Sequence, residues 1–339
     1  MRNSTRQAFD AYVSQIAELN GVSDATKKFA VEPSVQQRLI DKKQESSEFL
    51  SKINLFTVPE MKGEKLGLGV SSPIASRSDT RNGERREPTD PSGLDVHSYE
   101  LHQTNFDTYL SYGKIDMWAK FPDFQTRIRD HIVRAAALDH LRIGFNGTSA
   151  AKSTDKAANP LLQDVNIGWL EKMRLEAPER VMAEAAAASG KVTYGDGGDY
   201  ASLDALVYDA TNSLLAPWAV EDTELVAIVS RDLLHDKYFP LMNTNHDPEN
   251  QLARDVIMSS KRLGGLPAVR VPFFPAGKVF ITRYDNLSIY AQEGKHRRLI
   301  KDEPEWDRVV NYESDNDAYV IEDHDYGALV ENIEAAQQA

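Results

Sequence analysis

Between Ser76 and Gly93 the chain carries no Leu, Ile, Val, Met, Ala or aromatic side chain, so this long stretch has nothing to bury and cannot join a core. The segments on either side read differently. Lys65-Leu66-Gly67-Leu68-Gly69-Val70 alternates apolar and small or polar residues, and His97 to Leu110 alternates again around Tyr99, Leu101 and Phe106. A period of two marks a strand. Two strands joined by a long polar tip predict a projecting hairpin, the plainer alternative being a floppy surface loop. The tip mixes charges, with Arg77, Arg81, Arg85 and Arg86 among Asp79, Glu84, Glu87 and Asp90.

Upstream, the first sixty residues read as an arm. Phe9, Val13, Ile16 and Leu19 recur at helical spacing and stop at Asn20-Gly21, and a second helix is expected from Pro33 to Ile53 with Val35, Leu39, Phe49 and Ile53 on it. Neither helix has the apolar area for a core of its own, so both are expected to lie against something larger, a neighbouring subunit included. Downstream, Phe106 to Phe121 is strand-like. It leads into the strongest helical pattern of the chain: Phe124, Ile128, Ile132, Ala135, Leu138, Leu141 and Phe145, with Asn146-Gly147 as the stop.

Asn166 to Met182 predicts a further helix, and Leu203, Leu206, Val207, Ala210 and Leu214 another. Glu224 to Ser230 is a buried strand by its composition and Arg231 to Met242 a helix; short strands follow at Ala268–Val271, Lys278–Thr282, Leu287–Tyr290, Val309–Tyr312 and Ala318–Ile321. The fold class is α+β.

Composition narrows the chemistry. With no cysteine among 339 residues, thiolate catalysis, disulfides and Cys-based zinc sites are excluded. A formal net charge of −13 argues against a duplex-DNA reader, which needs cations to displace counterions. No apolar run approaches the ~18 residues of a membrane helix and the N-terminus lacks a signal-like centre, so a soluble cytosolic product is expected, with no membrane partner.

Candidate sites are weak. Asp323-His324-Asp325 has metal-ligand or acid/base residue types, which makes a metal-dependent hydrolase one alternative, but a strand-end His between carboxylates is more often a solvated pair. Asp315-Asn316-Asp317 begins like a calcium loop, yet Val320 and Tyr326 occupy the positions that require Gly and Glu. Gly67-x-Gly69 and Gly195-x-Gly197-Gly198 match no phosphate-binding pattern. Lys295-His296-Arg297-Arg298 is a basic spot, expected to pair with the acidic run Asp302 to Asp307. No catalytic, cofactor or metal residues are assigned, and the chain is not expected to be an enzyme.

Eight blocks in consistent order carry a resemblance: YVSQIAELN (Tyr12–Asn20), KKFAVEPSV (Lys27–Val35), QESSEF (Gln44–Phe49), MKGEKLGLG (Met61–Gly69), QTRIRD (Gln125–Asp130), GDYASLDAL (Gly198–Leu206), DKYFP (Asp236–Pro240) and LPAVRVP (Leu266–Pro272). From the first residues to about Asn332 the sequence resembles the major capsid proteins of the P2 group of contractile-tailed phages. The resemblance implies an HK97-like fold: an N-terminal arm (1–60), an extended hairpin or E-loop (61–104), a peripheral domain (105–197) with a spine helix (122–146), an axial domain (198–292) and a return to the peripheral domain with a C-terminal tail (293–339).

It further implies a homo-oligomer of pentamers and hexamers closing an icosahedral head around double-stranded DNA, which is touched non-specifically from inside. Scaffolding protein, portal and maturation protease would be partners during assembly in the host cytoplasm. Arg77, Arg81, Arg85, Arg86, Glu84 and Glu87 of the E-loop become the expected inter-subunit contacts, and Phe29-Ala30 the junction at which a leader (1–29) is trimmed. An encapsulin-like compartment of the same fold, enclosing cargo, is the alternative reading.

Overall fold

The computed structural model describes residues 1–70, 75, 77, 85, 92–118, 121, 123–243 and 261–336. The chain opens with α1 (Asn3–Leu19), a two-residue strand β1 (Phe29–Ala30) and α2 (Pro33–Glu45). On α1 the buried apolar residues are Phe9, Tyr12, Ile16 and Ala17, whereas Leu19, expected on that stripe, is exposed. α2 stops well short of Ile53. Residues 46–53 turn instead, which drops Phe49, Leu50 and Ile53 into the central core.

β2 (Asn54–Val58) precedes β3 (Lys62–Val70) and β4 (Ser92–Glu100), which pair antiparallel without a break from Lys62 opposite Glu100 to Val70 opposite Ser92. The first leg is therefore longer than the alternation from Lys65 marks, while the second starts earlier, at Ser92, and ends at Glu100, short of Leu110. β5 (His102–Asn105), β6 (Thr108–Ser111) and α3 (Tyr112–Trp118) follow, so Phe106 to Phe121 is a short strand and a helix rather than one strand. The reason is the partner. β6 pairs with residues 308–311, and its last pair, Ser111 with Arg308, uses the first residue of that partner strand.

α4 (Phe124–Asn146) is the long helix that periodicity predicts. Gly147 ends it without the left-handed conformation expected of a glycine stop, since its φ is −64°. A Cβ at Gly147 would lie 2.2 Å from the Asn166 carbonyl oxygen, so the glycine is there for close approach. α5 (Trp169–Glu176) is half the helix expected over 166–182; Pro178–Arg180 forms a 3-10 turn and β7 (Val181–Met182) a strand. Then come β8 (Val192–Tyr194), α6 (Leu203–Leu214), β9 (Val226–Val229), α7 (Arg231–Asn243), β10 (Arg262–Leu263), β11 (Leu266–Val269), β12 (Val279–Thr282), β13 (Leu287–Gln292), β14 (Arg297–Glu303), β15 (Arg308–Ile321), β16 (Ala328–Val330) and β17 (Ile333–Ala335). Ser202 caps α6 by accepting from the Ala205 amide at 3.2 Å.

A seven-stranded sheet runs β1-β14-β15-β13-β2, with β5 and β6 also on β15. A six-stranded sheet runs β10-β11-β9-β12-β16-β7, and two smaller pairs join β17 to β8 and β3 to β4. Alternate residues of the six-stranded sheet feed two cores. Val226, Ile228, Phe280 and Leu329 meet α4, α5 and the larger sheet, while Ala227, Val229, Val279, Ile281, Ala328 and Val330 meet α6 and Leu233 and Leu234 of α7. Burial on both faces is what made Glu224 to Ser230 read as a continuous apolar run. α4 and α5 touch because residue 144 is glycine: a Cβ there would sit 2.3 Å from Cζ3 of Trp169.

Candidate assembly surfaces

The hairpin β3–β4 is rooted in the larger sheet at its base. Leu101 is fully buried against Ala318 and Val320, its amide donates to the Met61 carbonyl at 2.9 Å, and the Tyr99 ring stands edge-on to Tyr290 at 5.1 Å. Gly63 passes beneath Tyr99, where a Cβ would lie 2.5 Å from its hydroxyl. Lys62 and Glu100 close the root with a 2.8 Å ion pair between exposed side chains. Of the expected contact residues, Arg77 and Arg85 are exposed. Arg81, Glu84, Arg86 and Glu87 lie outside the described residues.

The arm helices lie against something larger, as expected, and here it is the body of their own chain. Phe9, Tyr12, Ile16 and Ala17 of α1 close over Ile115, Ile128, Ile300 and Val309. The candidate junction lies in β1, with Phe29 opposite Arg298 and Ala30 opposite Arg297; Phe29 is buried and Ala30 exposed. Being an edge strand, β1 is extended and paired on one side by β14.

Beside this strand lies a group of charges that sequence reading missed. Glu313, Asp315 and Asp317 occupy alternate positions of β15 and so share one face. Lys43 of α2 reaches Asp315 Oδ2 at 3.2 Å; His296 places Nδ1 2.5 Å from Asp315 Oδ1 and Nε2 3.2 Å from Glu313 Oε1. Arg298 donates to Asn311 Oδ1 at 2.6 Å and to the Tyr12 hydroxyl at 3.2 Å. Lys43, His296, Glu313, Asp315 and Asp317 are all less than 9% exposed. The basic spot therefore pairs with residues 313 and 315, not with 302–307, because the β14–β15 register sets Arg298 opposite Glu313 and leaves Glu303 opposite Arg308 at the far end.

Burial would lower the His296 pKa, but the Asp315 and Glu313 carboxylates outweigh it and push it up to about 9. Burial raises Glu313, yet the His296 imidazolium, Arg298 and Lys43 hold it down at about 2, and Asp315 is held well below the carboxylate range mainly by Lys43 and His296. Asp317 goes the other way. Burial and the Asp315 charge push it up to about 8, so it is a neutral acid near pH 7.

The pH dependence follows by sign. Glu313 and Asp315, lowered, contribute stability present above about pH 4 and lost as pH falls towards 2; His296, raised, contributes below about pH 6.5 and loses it as pH rises through 9. Asp317, raised, contributes below about pH 4 and loses stability as pH climbs to 8. Asp317→Asn is therefore expected to match wild type near pH 4 and to gain on it above that, by up to about 1.4 kcal/mol per unit, in urea midpoints measured across the range. A difference that stays constant with pH would contradict a neutral Asp317.

The Asp323-His324-Asp325 group is not a solvated pair either. His324 is buried with Nε2 3.1 Å from Glu176 Oε2, Asp325 pairs with Arg180, and Asp323 accepts from the Asp325 amide at 2.8 Å. These residues tie α5 to the end of β15. Asp315-Asn316-Asp317 is strand and not loop, with its carboxylates turned onto Lys43 and His296.

Residues 8–333 match the family described as phage major capsid protein, P2 family. The chain belongs to that family. The capsid protein of Escherichia phage P2 is 53% identical over 340 residues, covering 98% of this chain and 95% of the relative. The major capsid protein of Serratia phage KSP20 is 43% identical over 347 residues, covering 99% of each. Among solved structures, the satellite phage P4 procapsid, which includes a size determination (Sid) protein, superposes with a TM-score of 0.82 at 50% identity over 99% of both chains. The capsid of an empty GTA particle, at TM-score 0.52 and 16% identity over 85% of this chain and 90% of that one, shares the fold alone. The fold of this P2-family subunit is thus the α+β fold of HK97-like phage capsid proteins.

In the P2-family subunit the root of the β3–β4 hairpin and the candidate junction Phe29-Ala30 are in different places, but both are referenced to β15: the root packs on its Ala318 and Val320, and β1 pairs with its neighbour β14. The signal for the buried charges was available in the alternation of Glu313, Asp315 and Asp317. Their partner Lys43, 272 positions from Asp315, carried none.

Proposed function

We propose that this subunit is the major structural protein of a tailed-phage head, associating with copies of itself as pentamers and hexamers to close an icosahedral shell around double-stranded DNA. The observation that carries the reading is similarity along the whole chain, 53% to a phage P2 capsid protein, with a matching fold in the P4 procapsid. The relatives at 53% and 43% identity are phage capsid proteins, which favours a head shell over a cargo compartment. Its role is mechanical, and no catalytic step is assigned to it.

In this reading residues 1–60 are the arm, β3–β4 belongs to the E-loop and α4 is the spine. The larger sheet with α4 forms the peripheral domain. The six-stranded sheet with α6 and α7 forms the axial domain, borrowing β7 and β16 from outside 198–292, while β13 is a strand of the peripheral sheet. An internal scaffold, a portal and a maturation protease act during assembly in the host cytoplasm, and DNA contacts are non-specific, as befits a chain of net charge −13.

The E-loop arginines meet carboxylates of an adjacent subunit. A single exposed pair is worth about 0–1 kcal/mol, but the contact recurs at every subunit of the shell. Arg85→Glu combined with Arg86→Glu is expected to cut particle yield several-fold in sedimentation and electron microscopy while the monomer melts normally. Full yields would remove the E-loop from that role. The leader is trimmed near Phe29-Ala30, so intact-mass measurement of finished particles is expected to give a chain starting near residue 30; a full-length mass would end the trimming idea.

A further inference from the structure

The arm's first helix has an apolar face and polar contacts of its own, to which Ala25, Phe29 and Val31 behind it add in the same cluster. Phe9, Tyr12 and Ile16 stand at i, i+3 and i+7, the spacing by which an amphipathic helix fills a groove. The floor comes from Ile115 of α3, Ile128 of α4, Ile300 of β14 and Val309 of β15. Polar contacts fix the helix lengthwise: the Arg2 amide donates to Asp116 Oδ1 at 3.1 Å, Arg6 pairs with Asp302 at 3.0 Å, and the Tyr12 hydroxyl accepts from Arg298 at 3.2 Å. The link behind it leaves this cluster only at Thr26: Ala25 is fully buried and its carbonyl accepts from the Ile300 amide at 3.2 Å, whereas Thr26, Lys27 and Lys28 are exposed.

We propose that the groove formed by α3, α4, β14 and β15 is a self-sufficient binding site for an amphipathic helix, and that α1 is its occupant both before and after the chain is cut behind it. Hydrolysis of one amide bond near residue 29 changes none of the contacts named above. It makes the interaction intermolecular, so the leader stays until the contacts to α3, α4, β14 and β15 are broken. Trimming and release are then separate events, and an emptied subunit exposes four contiguous aliphatic side chains that a second amphipathic helix can fill.

The inference deepens the trimming reading, but its test bypasses it. A recognition sequence for a specific protease is inserted between Lys27 and Lys28 in the full chain, the unassembled subunit is cut to completion, and the products are run on gel filtration. The 1–27 fragment is expected to co-elute with the body in equal amount and to be displaced by an excess of labelled peptide of the same sequence. Phe9→Ala with Ile16→Ala in the same cleavable chain is expected to shift at least about ten times more fragment into the free fraction, as loss of two anchors should. Quantitative loss of the unmutated fragment from a body that remains folded by circular dichroism would overturn the proposal. So would retention that the double substitution leaves unchanged. Intact mass of naturally assembled particles reports separately on whether trimming happens at all.

Discussion

Lys43→Met is expected to lower the unfolding free energy of the subunit by about 3–5 kcal/mol, the range seen when one member of a buried ion pair is removed. Methionine reproduces most of the alkyl stem, so packing beside the Phe106 ring, 5.2 Å from the ammonium, is largely kept. What disappears is the charge. Asp315 and Glu313 are ionised and buried, and after the substitution His296 faces both with only Arg298 to assist. Lys43 is also the cation by which α2 is fastened to β15, so the arm should loosen before the sheet does. Urea denaturation with an unchanged slope, together with faster amide exchange in residues 33–45, would match this expectation. A cost under about 1 kcal/mol would mean that the pair merely replaces its own desolvation penalty.

Trp169→Ala is expected to cost a similar amount, about 3–5 kcal/mol, through a cavity at the junction of both sheets with α4 and α5. The ring is fully buried and stands edge-on to Phe145 at 5.1 Å, Tyr319 at 5.3 Å and Phe49 at 6.4 Å. Its Nε1–H donates to the Ser288 carbonyl at 3.1 Å, and that buried acceptor would lose its donor. The site cannot collapse easily, because backbone from α4 is already in contact on the Gly144 side. Thermal melting of the isolated subunit measures the loss; a near-neutral result would require the two sheets to close over the gap.

Long-period signals carried most of the fold. α4 was legible because its apolar positions repeat over six turns, and β9 because a strand buried on both faces has no polar position to interrupt it. The hairpin was legible from its two alternating legs. Elements whose limits depend on a distant partner were not: β6 ends at Ser111 only because β15 begins at Arg308, and α2 ends at Glu45 so that Phe49 and Leu50 can turn inward. The same holds for the site. The pairing of Arg298 with Asn311 and Glu313 is set by a strand register, and the basic spot alone gave no reason to look there rather than to the nearer acidic run.

β15 is fourteen residues long and is hydrogen-bonded along its length to β5, β6, β13 and β14. Val309 packs under α1, Asp315 anchors α2, and Ala318 and Val320 seat the hairpin root. One strand thus serves as a ruler on which three separate parts are graduated. A slip of a single residue would turn all of those side chains to the opposite face at once, so any torque applied at the hairpin must either leave the ruler in place or be felt at the arm as well.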